Sequence, residues 1–201
     1  NNLIITLDKV NEAVVLDRVS LTELRRYPTG ETPHVVAVSG EAVLVTDSRG
    51  DTLRQLEPGT KSIRTGGQPE GIAITGGYAA TADYLGGTLT VARAGDLSGA
   101  SSLSVGAAPV RVTALAGGQV LVSLQGRGEV ALVDLATLSV KRRLKTAARP
   151  DGLCVDPDGR NFAVASNHEG RVEVFSTKAW KSSLQLNLDP GLGACLWLAG
   201  R

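Results

Sequence analysis

An all-β fold of repeated four-stranded antiparallel sheets follows from three observations in this 201-residue sequence. Proline recurs ahead of an apolar run at Pro33, Pro69, Pro109, Pro150 and Pro190, so the chain repeats itself about every 40 residues. Each of the first four repeats then shows three further strand-like runs separated by Gly, Asp and Asn turn signals. Helix-period apolar stripes with caps are nearly absent. Four short strands per repeat of this length define the blade of a β-propeller.

The runs can be taken in order. First strands begin at the prolines ("TPHVVAV", "QPEGIAI", "APVRVTAL", "RPDGLCV"). Second runs ("AVLVTD", "YAATAD", "QVLVSLQ", "NFAVASN") are continuously apolar, as expected of strands buried on both faces between neighbouring sheets. Third runs alternate: Val172 and Val174 are interleaved with Arg171 and Glu173. Fourth runs are polar or basic, above all "KRRLKTAAR" (141–149), which suits an outer edge where charge discourages strand addition. The same run, read functionally, is a candidate anion site. First-strand regions are rich in small residues, among them Gly71, Ala73, Gly152, Gly193 and Ala194, which would relieve crowding at a narrow axis.

At the amino end, "LIITLDKVNEAVVLD" aligns with second and third strands and "TELRRYPTG" with a fourth, while "PGLGACLWL" (190–198) is a first strand with nothing after it. The expected fold is therefore a single domain over 1–201. It is a five-bladed β-propeller with blades near 31–66, 67–106, 107–147 and 148–187, and a composite of 188–201 plus 1–30. The C-terminal first strand is expected to pair with the N-terminal strands and close the ring, which would remove both open edges.

Residues 149–186, beginning "RPDGLCVDPDGRNFAVASNHEGRVEVFS", resemble a YVTN-type β-propeller repeat. The shared pattern is Pro-x-Gly, an apolar strand, Pro-Asp-Gly, a strand ending near Asn, a Val-rich strand and an x-Asp-x-x-Thr corner. "GEVALVDLATLSVKRRL" (128–144) resembles its last part through Asp134 and Thr137. The resemblance implies the propeller fold. It also implies a range of roles: surface or periplasmic proteins, lactonase-like enzymes, and haem-, copper- or quinone-dependent redox proteins. Rings of this family commonly carry seven blades, against the five counted here.

Composition narrows the function. Hydrophobic residues make up 42%, enough for a packed core. Lys plus Arg number 21 against 20 acidic residues, which argues against a nucleic-acid partner. No apolar run reaches the roughly 20 residues of a membrane-spanning helix. The sequence opens "NNLIITL" without Met, and we read it as a processed, exported form that is periplasmic, secreted or on the cell surface, with the cytoplasm left open. Cys154 and Cys195 fit no zinc spacing and fall in runs read as buried strands, where cysteine acts as a small hydrophobe; whether they pair is open. Trp180 and Trp197 read as packing residues.

In an antiparallel blade, the loop before strand one and the loop between strands two and three meet at one rim. Those loops nominate His34, Asp47, Glu70, Asp83, Tyr84, Arg111, Gln125, Asp151, Asn167 and His168 as ligand contacts, with Asp8 contributing a further carboxylate. Asp and Asn also favour tight turns for local backbone reasons. No Gly-x-Ser-x-Gly, Walker, His-Glu-x-x-His or Cys-x-x-Cys motif occurs, and no catalytic set is assigned. The expected role is a non-enzymatic binding or scaffold module that engages a protein partner, or a small molecule, at this rim. Two alternatives remain. One is a lactonase- or esterase-like hydrolase using a divalent metal on Glu70, Asp83 and Asp151; the other is a structural part of a surface layer or envelope. No cofactor is expected; calcium or another divalent cation is the candidate if one binds.

Overall fold

The computed structural model describes residues 2–198. Every regular element in it is a strand, and the strands form five antiparallel sheets. The first holds β1 (Asn2–Leu7), β2 (Glu12–Asp17) and β3 (Glu23–Pro28). The second holds β4 (Pro33–Ser39), β5 (Ala42–Asp47), β6 (Thr52–Glu57) and β7 (Lys61–Arg64). The third holds β8 (Pro69–Thr75), β9 (Tyr78–Asp83), β10 (Thr88–Arg93) and β11 (Ser101–Ser104). The fourth holds β12 (Pro109–Leu115), β13 (Gln119–Leu124), β14 (Glu129–Asp134) and β15 (Ser139–Lys145). The fifth holds β16 (Pro150–Val155), β17 (Asn161–Ser166), β18 (Arg171–Ser176) and β19 (Ser182–Asn187). In the last four sheets each strand pairs with its sequence neighbour, and each sheet begins at a proline.

The prolines stand first in their strands, where the missing N–H costs no ladder bond. At the corner after β14, the Asp134 carboxylate accepts the Thr137 amide at 2.9 Å. The Thr137 amide and hydroxyl hold the Asp134 carboxyl below its ordinary range. This is the x-Asp-x-x-Thr turn of the repeat.

Sheets stack face to face, and the core is a series of four inter-sheet layers. Val45, Ala13 and Leu56 join the first sheet to the second. Leu44, Leu53, Ile72 and Ala79 join the second to the third. Leu89, Val91, Val122 and Leu124 join the third to the fourth, and Leu121, Val130, Phe162 and Val164 the fourth to the fifth. Within β13 alone, Val120, Val122 and Leu124 face one neighbour and Leu121 the other, so both faces of the strand are apolar. That is why the second runs lack polar alternation. First strands pack side by side, β8 between β4 and β12, and β12 against β16.

Gly71 lies where β8 meets β12: a Cβ there would collide with the backbone carbonyl of Val110, and the backbone at residues 111 and 112 lies within 3.2 Å. Gly71→Ala is expected to cost about 2 kcal/mol through forced separation of these strands, measured by urea denaturation.

The expected ring closure is not formed among the described residues. Residues 190–198 carry no strand, and β1 has β2 as its sole ladder partner, leaving the first sheet three-stranded. The segment lies against β16, as a next first strand would, without forming a ladder. Cys195 is disulfide-bonded to Cys154 in β16, Trp197 Nε1 donates to the Cys154 carbonyl at 3.3 Å, and Asn167 Nδ2 donates to the Leu192 carbonyl at 2.9 Å. Cys195 is therefore a cross-link in an irregular segment, not a free thiol in a strand. The outer ends of the composite blade, residue 1 and residues 199–201, lie outside the described residues.

Candidate functional site

Four backbone hydrogen bonds knit the two loop sets into one rim. The residue before each strand-opening proline, Thr32, Gln68, Ala108 and Arg149, has a φ of 52 to 56°, in the left-handed region that costs a side-chain-bearing residue energy. The turn points its carbonyl at the loop after the second strand. The amides of Ser48, Tyr84, Gln125 and Asn167 donate to those four carbonyls at 2.8, 2.9, 2.9 and 3.0 Å. The convergence inferred from blade geometry is thus made by hydrogen bonds.

Polar groups of the rim meet across neighbouring first strands. His34 Nδ1 donates to the Glu70 backbone carbonyl at 3.1 Å, which places its proton on Nδ1, and lies 3.3 Å from the Glu70 carboxylate. Arg111 Nη2 lies 3.1 Å from Asp151 Oδ1, an ion pair without hydrogen-bond alignment. Glu70 is further bound on Oε1 by Ser48 Oγ at 2.9 Å and Gln68 Nε2 at 2.7 Å. Around this network opens a cleft of about 540 Å³ between the second and third sheets, lined by Thr32, His34, Ser48, Arg49, Gln68 and Glu70, with Asp51 and Leu85 at its edge. Leu85 is 74% exposed there. The polar lining is cross-bonded, Asp51 Oδ1 accepting the Gln68 amide at 2.7 Å, and the exposed side chains beside it are the Arg49 guanidinium and the apolar Leu85.

The nominated residues divide. His34 and Glu70 line the cleft; Arg111 and Asp151 form the separate pair on the fourth and fifth sheets. Asp47 and Asp83 do not reach the rim, because both are fully buried inside their own sheets. Asp47 Oδ2 accepts from Thr52 Oγ1 at 2.7 Å and Arg54 Nε at 3.1 Å. Asp83 accepts from Thr81, Thr88 and Thr90 at 2.7, 3.0 and 2.8 Å, and burial pushes its carboxyl above the ordinary range against the pull of those hydroxyls. Asn167 holds the C-terminal segment through Leu192. Tyr84, Gln125 and His168 make no side-chain hydrogen bond among the described residues, and Asp8 is exposed in the β1–β2 turn.

The acidic mouth is therefore corrected: two of its carboxylates are internal struts and two are paired with basic groups. Glu70, Asp83 and Asp151 are held by different partners, and among the described residues no three His, Cys, Asp or Glu side chains gather as a metal site. Ser48, Gln68, Thr32, Arg49 and Asp51 were not nominated. Each lies within four residues of a nominated one, in the loops before β4, between β5 and β6, and before β8, and for Thr32 and Gln68 the proline-preceding turn was the available signal. Among the described residues no helix is long and apolar enough to cross a membrane.

No family model matches the sequence, and no curated protein matches it. Solved structures do. A functionally unknown protein from Desulfotomaculum acetoxidans superposes with a TM-score of 0.80 at 15% identity, covering 96% of this chain and 68% of that one. Hydrazine synthase from Kuenenia stuttgartiensis gives 0.80 at 20% identity, over 94% of this chain and 63% of that one. A catalytically inactive virginiamycin B lyase from Staphylococcus aureus, in complex with quinupristin, gives 0.83 at 12% identity, over 96% and 69%. The chain spans about two-thirds of the length of these proteins. Together with the stacked four-stranded sheets, these likenesses define the chain as a β-propeller protein. At such identities they define the fold alone.

Proposed function

We propose that this protein is a non-enzymatic β-propeller binding module that engages a polar segment of a partner protein at the cleft between its second and third sheets. The observation that carries the reading is the fixed His34–Glu70–Gln68–Ser48 network beneath an open cleft flanked by exposed Leu85 and Arg49. A preorganised polar floor with an apolar edge is the usual make-up of a binding site, and the openness of this cleft suits a chain segment. The Cys154–Cys195 bond supports a location outside the reducing cytoplasm, in the periplasm, at the cell surface or in the medium. The metal-dependent hydrolase finds no support in the separated positions of Glu70, Asp83 and Asp151.

Pull-down from an envelope extract with the wild type, Leu85→Asp and Glu70→Gln tests the reading. The wild type is expected to retain a partner that both variants lose by at least about tenfold, the loss typical of a central interface contact. Retention by both variants would remove the cleft from the binding surface. Lactone or ester hydrolysis by the wild type that Glu70→Gln abolishes would make the protein an enzyme instead.

A further inference from the structure

The basic run "KRRLKTAAR" forms β15 and the loop after it, and the fold divides its cations between two faces. Arg142 turns toward the fifth sheet and stacks over the Trp180 ring at 5.9 Å. Arg143 and Lys145 point the other way, opposite Ala131 and Glu129 of β14. There they meet Arg127 from the β13–β14 turn, and all three converge on one carboxylate. Arg127 Nε lies 2.9 Å and Arg143 Nη1 3.4 Å from Glu129 Oε2, and Lys145 Nζ lies 3.0 Å from Oε1. Glu129 is only 5% exposed. Burial alone would raise its carboxyl, but the bonds from Lys145 and Arg127 outweigh burial and hold it below the ordinary range.

One buried carboxylate is neutralised by one cation. Three leave a local excess of two positive charges, and among the described residues none of the three pairs with a second carboxylate. Arg143 Nη2 is anchored on the Val105 carbonyl at 2.8 Å and Lys145 Nζ on the Arg127 carbonyl at 3.3 Å, so the cations are positioned rather than free to spread apart. The two terminal nitrogens of Arg127 take no protein acceptor among the described residues, and its side chain lies over Gly106, where a Cβ would come within 2.7 Å of its Cδ. The outward side of the cluster is thus a fork of unused N–H donors beside an ammonium, the donor geometry that suits a tetrahedral oxyanion.

We infer that Arg127, Arg143 and Lys145 form a binding site for a dianionic oxyanion, of the phosphate or sulfate class, between the third and fourth sheets, with Glu129 as the strut that holds the cations in place. The site is distinct from the rim cleft and does not depend on the reading given for it. The oxyanion supplies the two negative charges that Glu129 leaves unmatched.

Isothermal titration of the protein with inorganic phosphate, sulfate and acetate at pH 8 and constant ionic strength tests this. Phosphate and sulfate are expected to bind at one site in the millimolar range, and acetate at least about tenfold more weakly. Arg127→Ala and Arg143→Ala should each weaken phosphate binding about tenfold, whereas Arg18→Ala, in the exposed β2–β3 turn, should leave it unchanged. Glu129→Gln, which raises the local charge, should bind phosphate more tightly and recover thermal stability when phosphate is added; a cluster that merely braces Glu129 would do neither. Because Arg127 is a surface side chain, its variant remains readable if Glu129→Gln fails to fold. Absence of phosphate binding, equal binding of acetate, or unchanged binding by the Arg127→Ala/Arg143→Ala double variant would overturn the site.

Discussion

Asp83→Ala is expected to lower stability by about 3 kcal/mol, with Asp83→Asn costing about 1 kcal/mol. The carboxylate is fully buried at the end of β9, where the hydroxyls of Thr81, Thr88 and Thr90 all donate to it. Alanine leaves the two buried hydroxyls, those of Thr81 and Thr90, without an acceptor, and each unsatisfied group costs about 1–3 kcal/mol. Thr88 is partly exposed and can turn to water. Relief of the buried charge offsets part of the loss, which is why the sum stays near the middle of the range. Asparagine keeps the volume and offers an acceptor oxygen. Its difference from the wild type should also depend on pH with a definite sign. The folded protein holds the Asp83 carboxyl above its ordinary range, so the folded state binds that proton more tightly than the unfolded state. The wild type therefore gains stability over Asp83→Asn as pH falls through that raised value, and the gain is complete below the ordinary aspartate value of about 3.9. Urea titrations of all three proteins between neutral pH and pH 3 measure both effects. An alanine variant within about 1 kcal/mol of the wild type would show that Asp83 is no strut.

The same aspartate shows what could be read from sequence and what could not. The end of the second strand was legible at both Asp47 and Asp83, because an apolar run stops there and a turn begins. The direction of each side chain was not. Successive residues of a strand point to opposite faces, so a shift of one position separates a rim ligand from an internal strut. Asp47 and Asp83 close their strands, whereas Gln125 and Asn167 open the loop one position later: the amides bonding the proline-preceding carbonyls belong to Ser48, Tyr84, Gln125 and Asn167. Likewise, "VLVTD" and "AATAD" read alike in sequence, yet Thr81 gives Asp83 a donor where Val45 leaves Asp47 Oδ1 without one. Strand order and the four proline starts were legible because they follow from local pattern alone. The fate of residues 190–198 was only half legible: their place beside β16 follows the side-by-side packing of first strands, whereas the ladder to β1 depends on a contact between the two ends of the chain that no local pattern specifies.

Cutting the Cys154–Cys195 cross-link decides how much of that last packing is covalent. The bond spans 41 residues, and closing a loop of that length removes denatured-state entropy worth about 4 kcal/mol. The segment it anchors has little else to hold it. Leu196 and Leu198 are 82% and 84% exposed, and among the described residues its other hydrogen bonds are those from Asn167, Gly191 and Trp197. The segment lies over Cys154 and Ala163, the inner end of a cross-strand row that runs through Val174 to the exposed Leu184 on the face of the fifth sheet turned away from Phe162 and Val164. The Cys154→Ala/Cys195→Ala variant should therefore unfold about 10 °C earlier than the wild type. It should also release the segment before global unfolding, with faster proteolysis near residues 188–192 and dye binding to the uncovered face. Wild-type protein treated with a dithiol should behave in the same way, which separates loss of the cross-link from loss of the sulfur atoms. If melting and proteolysis are both unchanged, backbone contacts alone seat the segment on β16. An irregular segment would then dock beside β16 without a ladder partner of its own, and the packing rule that joins β4 to β8 and β8 to β12 would extend past the last sheet.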